Sequence, residues 1–216
     1  MTAWAGGSVE ATVIRAVTAR QGFVADLTNL RTDRDGFGIA SVSVTGNLIS
    51  NILSDRVGKI KVSKGNARLN VTTISDAITL GRKAAVEQVS IKGGDLLESN
   101  FNLEPDTTLK SLNVTASGGG GGNLRGPVTI VGNLVNSKIN QILGVFAIDG
   151  ALIGRLTTNT PGGFVPIQSN GNEILVFIPD PAPAIPAGQR QRLFPSATPR
   201  GICTEIRDGV WVCEPI

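Results

Sequence analysis

The chain of 216 residues contains no histidine and no tyrosine, and aromatic residues make up only 4% of it. Without histidine it cannot form a Ser-His-Asp triad, a Cys-His pair or an imidazole metal site. It also has no run of 18 or more apolar residues, so we expect no transmembrane helix and no insertion into a membrane. These absences exclude a large share of common enzymes and the helical membrane proteins.

The charge of the chain is small and dispersed. The formal net charge is +3, and the lysines and arginines are scattered along the sequence. Nucleic-acid binding would require a concentrated basic stripe with stacking aromatic rings. We therefore expect no nucleic-acid partner.

A short phrase recurs in the sequence: the apolar end of a strand, a glycine, an asparagine or aspartate, and then a leucine. It occurs at Val44–Leu53, Ile91–Phe101 and Ile130–Ile139, with a diverged copy at Val62–Val71. Recurrence of this kind is typical of a repeat architecture, in which like units stack on one another and bury their apolar faces together.

The spacing of the glycines in this phrase indicates the length of the unit. The step from Gly46 to Gly65 sets the basic interval, and the step from Gly65 to Gly94 is half as long again, which is one longer unit. The interval from Gly94 to Gly132 is twice the first step and fits two units. We therefore predict coils of about 19 residues.

Each unit contains segments in which apolar and polar residues alternate. In Gly58–Val62, Ile60 and Val62 share one face, and Lys59 and Lys61 share the other. This period of two predicts strands with one buried face, and Gly and Asn suit the corners between them. Stacked strands of this kind predict an all-β fold, most simply a parallel β-helix (a β-solenoid).

Two alternatives accompany this prediction. A β-sandwich also has short strands at close spacing, but it gives no reason for the recurring phrase. Near the N-terminus, residues Ser8–Arg20 fit either an early coil or a short helix with Ser8 as N-cap. We assign residues 1–178 to the β-helix with an N-terminal cap region, and residues 179–216 to a proline-rich linker and a C-terminal hairpin.

The C-terminal segment predicts a hairpin with a three-residue loop at 207–209. In that register Ile206 faces Val210, and Cys203 lies opposite Cys213. The opposed cysteines make a Cys203–Cys213 disulfide plausible and would indicate an oxidising compartment, while two reduced cysteines are the alternative.

The segments VGKIKVSKGN and VEQVSIKGGDL resemble the repeats of bacterial extracellular right-handed β-helix proteins of the surface and adhesin type. The resemblance covers roughly Val9 to Leu156. It implies a right-handed coil and a location outside the cell or on its surface. It is weak for function, because the same coil carries adhesins, polysaccharide lyases, glycoside hydrolases and passive stalks.

The resemblance to lyases would imply acidic and basic groups on the outer strand faces. The outward positions of the aligned strands are predicted to be Ser41, Ser43, Lys59, Lys61, Gln88, Ser90, Ser111, Asn113, Thr129, Val145 and Ala147. This row supplies two lysines and no carboxylate pair, which glycosidic hydrolysis needs. Lys59, Lys61 and the loop residue Asp95 are the weak catalytic candidates.

Asp33 and Asp35 precede a glycine and resemble the opening of a calcium loop, although the downstream glutamate is missing. Calcium is the only cofactor the sequence suggests, and weakly. We expect a non-catalytic extracellular β-helix module that is structural or adhesive. It would associate with itself, with neighbouring surface proteins or with polysaccharide. The alternative is a polysaccharide-active enzyme or a glycan-binding module on the same fold.

Overall fold

The computed structural model describes residues 4–29, 36–74, 84–104, 106–118, 120–169, 171–180, 201–207 and 210–215. Every regular element within these ranges is a β-strand. The strands are β1 (Trp4–Glu10), β2 (Val17–Ala19), β3 (Phe23–Thr28), β4 (Ile39–Thr45), β5 (Leu48–Ser54), β6 (Val57–Ser63), β7 (Ala67–Thr73), β8 (Ala84–Lys92), β9 (Leu96–Asn102), β10 (Thr108–Thr115), β11 (Asn123–Val131), β12 (Asn133–Ile139), β13 (Gln141–Ile142), β14 (Phe146–Asp149), β15 (Leu156–Thr158), β16 (Gly162–Ser169), β17 (Asn172–Pro179), β18 (Gly201–Arg207) and β19 (Val210–Pro215).

Successive strands alternate between two sheets. Sheet I has the order β1-β3-β5-β7-β9-β11-β14-β17-β16, with β13 beside β11, and sheet II has the order β15-β12-β10-β8-β6-β4-β2. From β1 to β13 each strand pairs in parallel with a strand two positions earlier or later in the chain, and β14 and β15 pair in parallel with β11 and β12, three positions earlier. The chain is therefore an all-β protein with parallel sheets, as the sequence predicted. Residues Ser8–Arg20 contribute to β1 and β2, so the alternative of a short helix is wrong.

The pairing register reproduces the predicted unit. Val44 pairs with Val62 in sheet II, and Ile52 pairs with Val71 in sheet I, so the paired residues are 18 and 19 positions apart in the sequence. Val62 then pairs with Ile91 across the longer step. The surplus of this longer step includes residues 75–83, which lie outside the described ranges.

Both sheets turn their apolar residues toward one shared core. Ile60 and Val62 are buried and Lys59 and Lys61 are exposed, which confirms the predicted alternation. The fully buried residues of sheet I include Leu48, Val71, Leu96, Phe101, Val128 and Ile130. Those of sheet II include Ile39, Val42, Val57, Val86, Val89, Leu109 and Leu112. Removal of this apolar surface from water is the main source of stability.

The glycines of the recurring phrase stack at the turn that leads from sheet II to sheet I. A Cβ atom on Gly65 would overlap the backbone of Gly46, and one on Gly94 would overlap the backbone of Gly65. Any larger residue would force neighbouring units apart, so close approach of the backbones explains why glycine recurs here.

The residue after each of these glycines bonds to the next unit. The amide of Asn66 donates to Oδ1 of Asn47 at 2.9 Å, and the amide of Asp95 donates to Oδ1 of Asn66 at 2.9 Å. The amide of Asn123 donates to Oδ1 of Asp95 at 3.0 Å. Because each side chain satisfies a backbone donor of the following unit, this corner ladder favours Asn or Asp in every copy of the phrase.

One copy of the phrase lies at the opposite turn. Gly132 leads from β11 in sheet I to β12 in sheet II, whereas Gly94 leads into sheet I. The interval from Gly94 to Gly132 is therefore not two units at one corner, and that prediction is wrong. The chemistry at the two turns is alike, since Oδ1 of Asn133 accepts the amide of Ala151 at 2.8 Å. The sequence pattern could not tell these turns apart.

Sheet I ends in antiparallel pairing. β17 pairs with β14 and with β16, and both pairings are antiparallel. The Phe164 ring packs edge-to-face against Phe146 and Phe177, with centroid distances of 5.5 and 5.7 Å. This hairpin occupies the edge that the parallel stack would otherwise leave open.

Strands β18 and β19 form a separate antiparallel hairpin. Cys203 pairs with Cys213, as predicted, and Val210 pairs with Arg207. The predicted pairing of Ile206 with Val210 is wrong, because the register shifts after Glu205 and β18 continues to Arg207. The proline-rich residues 181–200 and the loop residues 208–209 lie outside the described ranges.

Candidate functional site

The outer face of sheet II carries the predicted lysines. Ser41 pairs with Lys59, and Lys61 pairs with Ser43 on one side and Ser90 on the other. Further along the sheet, Asn113 pairs with Lys138. The face carries serine, asparagine, glutamine and lysine side chains, and Lys59 and Lys61 lie two residues apart on β6.

Three positions of the predicted row belong to the other sheet. Thr129 and Ala147 pair with each other in sheet I, and Val145 precedes β14 of that sheet. The prediction that they extend the lysine row is wrong. The cause is again the copy of the phrase at Gly132, which shifts every position aligned through it.

Asp95 lies immediately before β9 and is a member of the corner ladder. Its Oδ1 accepts the amide of Asn123, and its Oδ2 pairs with Nε of Arg125 at 2.6 Å. Its side chain is 13% exposed. Both carboxylate oxygens therefore bind neighbours within the fold, while Lys59 and Lys61 lie on β6 of sheet II.

The predicted calcium residues Asp33 and Asp35 lie outside the described ranges. Within those ranges, no three residues of the types His, Cys, Asp and Glu lie close enough together to hold a metal ion. Likewise, no helix in the part of the chain that the structure describes has the length and apolar character to cross a membrane.

The outer face of sheet I contains an open groove of about 780 Å³. It crosses the strands from β1 to β11. The polar residues that line it are Asp26, Ser50, Asn51, Arg68, Asn70, Glu98, Ser99, Asn100 and Thr129, and the apolar ones include Val24, Ile49 and Pro127.

Bulges in the strands shape this groove. The register shifts between Ala5 and Ser8 in β1, and again between Arg125 and Val128 in β11. In β11 two residues, Gly126 with a φ of +76° and Pro127, stand opposite the single Glu98 of β9, so β11 contains one extra residue. A bulge bends its strand and increases the local twist, and these two bulges lie in the strands at either end of the groove. The Gly-Gly pair in β1 and Gly126-Pro127 were the sequence signals for these bulges.

A row of polar side chains forms the floor of the groove. We call Asp26, Asn51, Asn70, Asn100 and Thr129 the asparagine row. Asn51 pairs with Asn70 in the strand register, Asn70 pairs with Asn100, and Asn100 pairs with Thr129. Nδ2 of Asn51 donates to Oδ1 of Asp26 at 2.8 Å, and Nδ2 of Asn70 donates to Oδ1 of Asn51 at 3.4 Å.

A second row runs beside the floor. Val24 pairs with Ile49, which pairs with Arg68. Val24 is 36% exposed and Ile49 is 47% exposed, which is unusual for large apolar residues on a strand. Arg68 forms an ion pair with Glu98, and each side chain is about half exposed. The groove thus combines a row of amide side chains, the apolar side chains of Val24 and Ile49, and an ion pair whose two charges cancel.

A buried arginine bonds to the backbone of two segments that are distant in the sequence, and sequence reasoning missed it. Arg56 is 1% exposed; its Nε donates to the carbonyl of Ala84 at 2.8 Å and its Nη1 to that of Gly36 at 2.9 Å. Its guanidinium lies 4.6 Å from the centroid of the Phe37 ring, and Nη2 is 3.6 Å from Oε1 of Glu87. Isolated in the sequence, Arg56 shows no pattern that would have identified it.

Burial raises the pKa of the neighbouring Asp55 carboxyl above its ordinary value of 3.8. Loss of hydration disfavours the charged carboxylate, which is the physical cause of this direction.

No protein-family model, no curated protein and no solved structure matches this chain.

Proposed function

We propose that this chain is a right-handed parallel β-helix and serves as a non-catalytic extracellular module, structural or adhesive, of a surface or secreted protein. The observation that carries the proposal is the alternation of strands between two parallel sheets, with the corner ladder bonding each unit to the next. Such a stack presents two broad side faces on a rigid support, which suits adhesion.

The module's partners in this proposal are a second copy, neighbouring surface proteins or polysaccharide. Among the described strands, β1 ends sheet I and pairs with β3 alone, whereas the other end of that sheet is occupied by the antiparallel hairpin. An open strand edge is a template for pairing with another chain. At the opposite edge Pro166 in β16 has no backbone N–H to donate, which disfavours pairing there. Self-association through β1 should appear in light scattering as a mass that rises with concentration.

Lysine substitutions at the exposed Ala5 and Ser8 should suppress that rise, because charge on an edge strand opposes pairing. Gln168→Lys on β16 is the matched control and should leave it unchanged. A monomeric mass at every concentration would contradict self-association.

A second candidate, a polysaccharide-active enzyme, is favoured by the presence of Asp26 and Glu98 in the same groove. Two carboxyl groups flanking a bound chain are what glycoside hydrolysis requires. The deciding assay measures product release from pectins, alginates and β-glucans, with and without calcium. The non-catalytic module should release no product. Turnover that is lost in Asp26→Asn, Glu98→Gln, Lys59→Ala or Lys61→Ala would establish the enzyme instead.

A further inference from the structure

We propose that the groove of sheet I binds a linear, uncharged polysaccharide, and that the polysaccharide chain crosses the strands along the asparagine row. This inference rests on the proposed adhesive function and names the ligand class of that function.

The floor of the groove retains unused hydrogen-bonding capacity. Each amide has two donor hydrogens and an oxygen with two lone pairs. Asn51 and Asn70 each use one donor within the row. Within the described residues, the Asn100 side chain makes no hydrogen bond and Oδ1 of Asn70 accepts none. A sugar hydroxyl is both donor and acceptor, so it matches an amide better than a ligand that only accepts.

The spacing of the row favours a polymer that runs across the strands. Adjacent strands lie about 4.8 Å apart, which is close to the length of one sugar ring along an extended glycan. Four such steps from Asp26 to Thr129 span about 19 Å. Each strand can therefore offer one polar side chain to each successive sugar, and an open groove lets the polymer continue past both ends.

The charge of the groove selects against acidic glycans. Arg68 and Glu98 neutralise each other, so the carboxylate of Asp26 leaves the lining with one net negative charge. A uronate or sulfate chain would place like charges over this lining. The exposed Val24 and Ile49 supply an apolar flank for the C–H face of a sugar, in place of the aromatic rings that the groove lacks among its described lining residues.

The test uses the whole chain in affinity gel electrophoresis and calorimetry. The neutral probes are a β-glucan and a galactomannan, and the acidic probes are polygalacturonate and alginate. We expect a neutral polymer to retard the protein. Asn70→Ala with Asn100→Ala should weaken that binding by at least about 5-fold, since each lost hydrogen bond costs roughly 2- to 10-fold. Asn113→Ala, on the outer face of sheet II, is the matched control and should bind like the parent.

A charge variant gives an independent readout. Asp26→Asn with Glu98→Gln leaves Arg68 unpaired and reverses the sign of the lining charge, so acidic polymers should now be retarded. Unchanged melting temperatures would show that every variant is folded. Binding of acidic polymers alone by the parent, binding that persists in Asn70→Ala/Asn100→Ala, or no binding of any neutral polymer would overturn the proposal. The structural role would survive that last result. Product release would instead overturn the non-catalytic function.

Discussion

The two parallel sheets share one apolar core but differ in their outer faces. Among the described pairings of sheet II, the register shifts once, between β8 and β10 at Thr108 and Leu109. Sheet I is bulged in β1, between β7 and β9, and in β11. Stacking of the strands therefore determines which residues are buried. The bulges of sheet I, in contrast, coincide with the groove on its outer face.

The largest expected effects come from truncating one core residue in each sheet. Comparing them tests whether the two sheets contribute equally to the core. Phe101→Ala in sheet I should lower the free energy of unfolding by about 3–5 kcal/mol, and Ile60→Ala in sheet II by about 2–5 kcal/mol. Both side chains are fully buried, so each truncation loses apolar burial and leaves a cavity. Urea unfolding measures both changes.

The exposed Lys59 on the same strand as Ile60 is the control. Lys59→Ala should change the free energy of unfolding by no more than about 0.5 kcal/mol. A loss as large as that of Ile60→Ala would reject the inside and outside assignment of sheet II.

The sequence predicted the regular parts of the molecule well. Ile60 and Val62 were placed inside because alternation of period two is unambiguous in an unbulged strand. The pairing of Cys203 with Cys213 followed from hairpin geometry, and whether the two are bonded stays a prediction. Local pattern was sufficient in both cases because each relation spans few residues.

The sequence did not predict the groove, for two physical reasons. Asn51 and Asn70 are one basic interval apart and can be aligned by period, but Asn100 follows Asn70 only after an insertion and a bulge. The Gly-Asn pair at Gly132 satisfies a different turn with the same chemistry, which misaligned Thr129. The groove depends on which residues of distant strands pair with one another, and the residue types alone do not specify that pairing.

The glycine stack at the turn into sheet I gives the next largest effect. Gly65→Ala should lower the free energy of unfolding by about 1–3 kcal/mol, because the added Cβ meets backbone that cannot move without separating the units. Gly163→Ala in the hairpin is the control, since its Cβ would meet no atom within 4 Å. Equal melting temperatures for the two variants would contradict the close stacking at this turn.

The corner ladder predicts a smaller loss. Asn66→Ala removes the acceptor for the amide of Asp95, and because water can reach this exposed corner the loss of one hydrogen bond should lower the free energy of unfolding by only about 0.5–1.5 kcal/mol. Asn66→Asp keeps the acceptor, as Asp95 does naturally, and should recover most of the stability. Chemical denaturation of Asn66→Asp and Asn66→Ala measures both losses. Equal losses would show that the side-chain acceptor at position 66 does not stabilise this corner.

The smallest effect concerns the opposite turn, from sheet I to sheet II, where Asp55 precedes Arg56. Because burial raises the pKa of Asp55 in the folded state, the folded protein holds that proton more tightly than the unfolded chain does. The associated stability is present below the ordinary pKa of 3.8 and is lost as the pH rises through the raised pKa. Asp55→Asn removes this loss, so its stability relative to the parent should increase with pH across the acid range and then level off. Urea unfolding from pH 3 to pH 7 measures the difference, with Lys59→Ala as a control that adds no titration in this range. A difference that stays constant with pH would show that Asp55 is as well hydrated in the folded protein as in the unfolded chain.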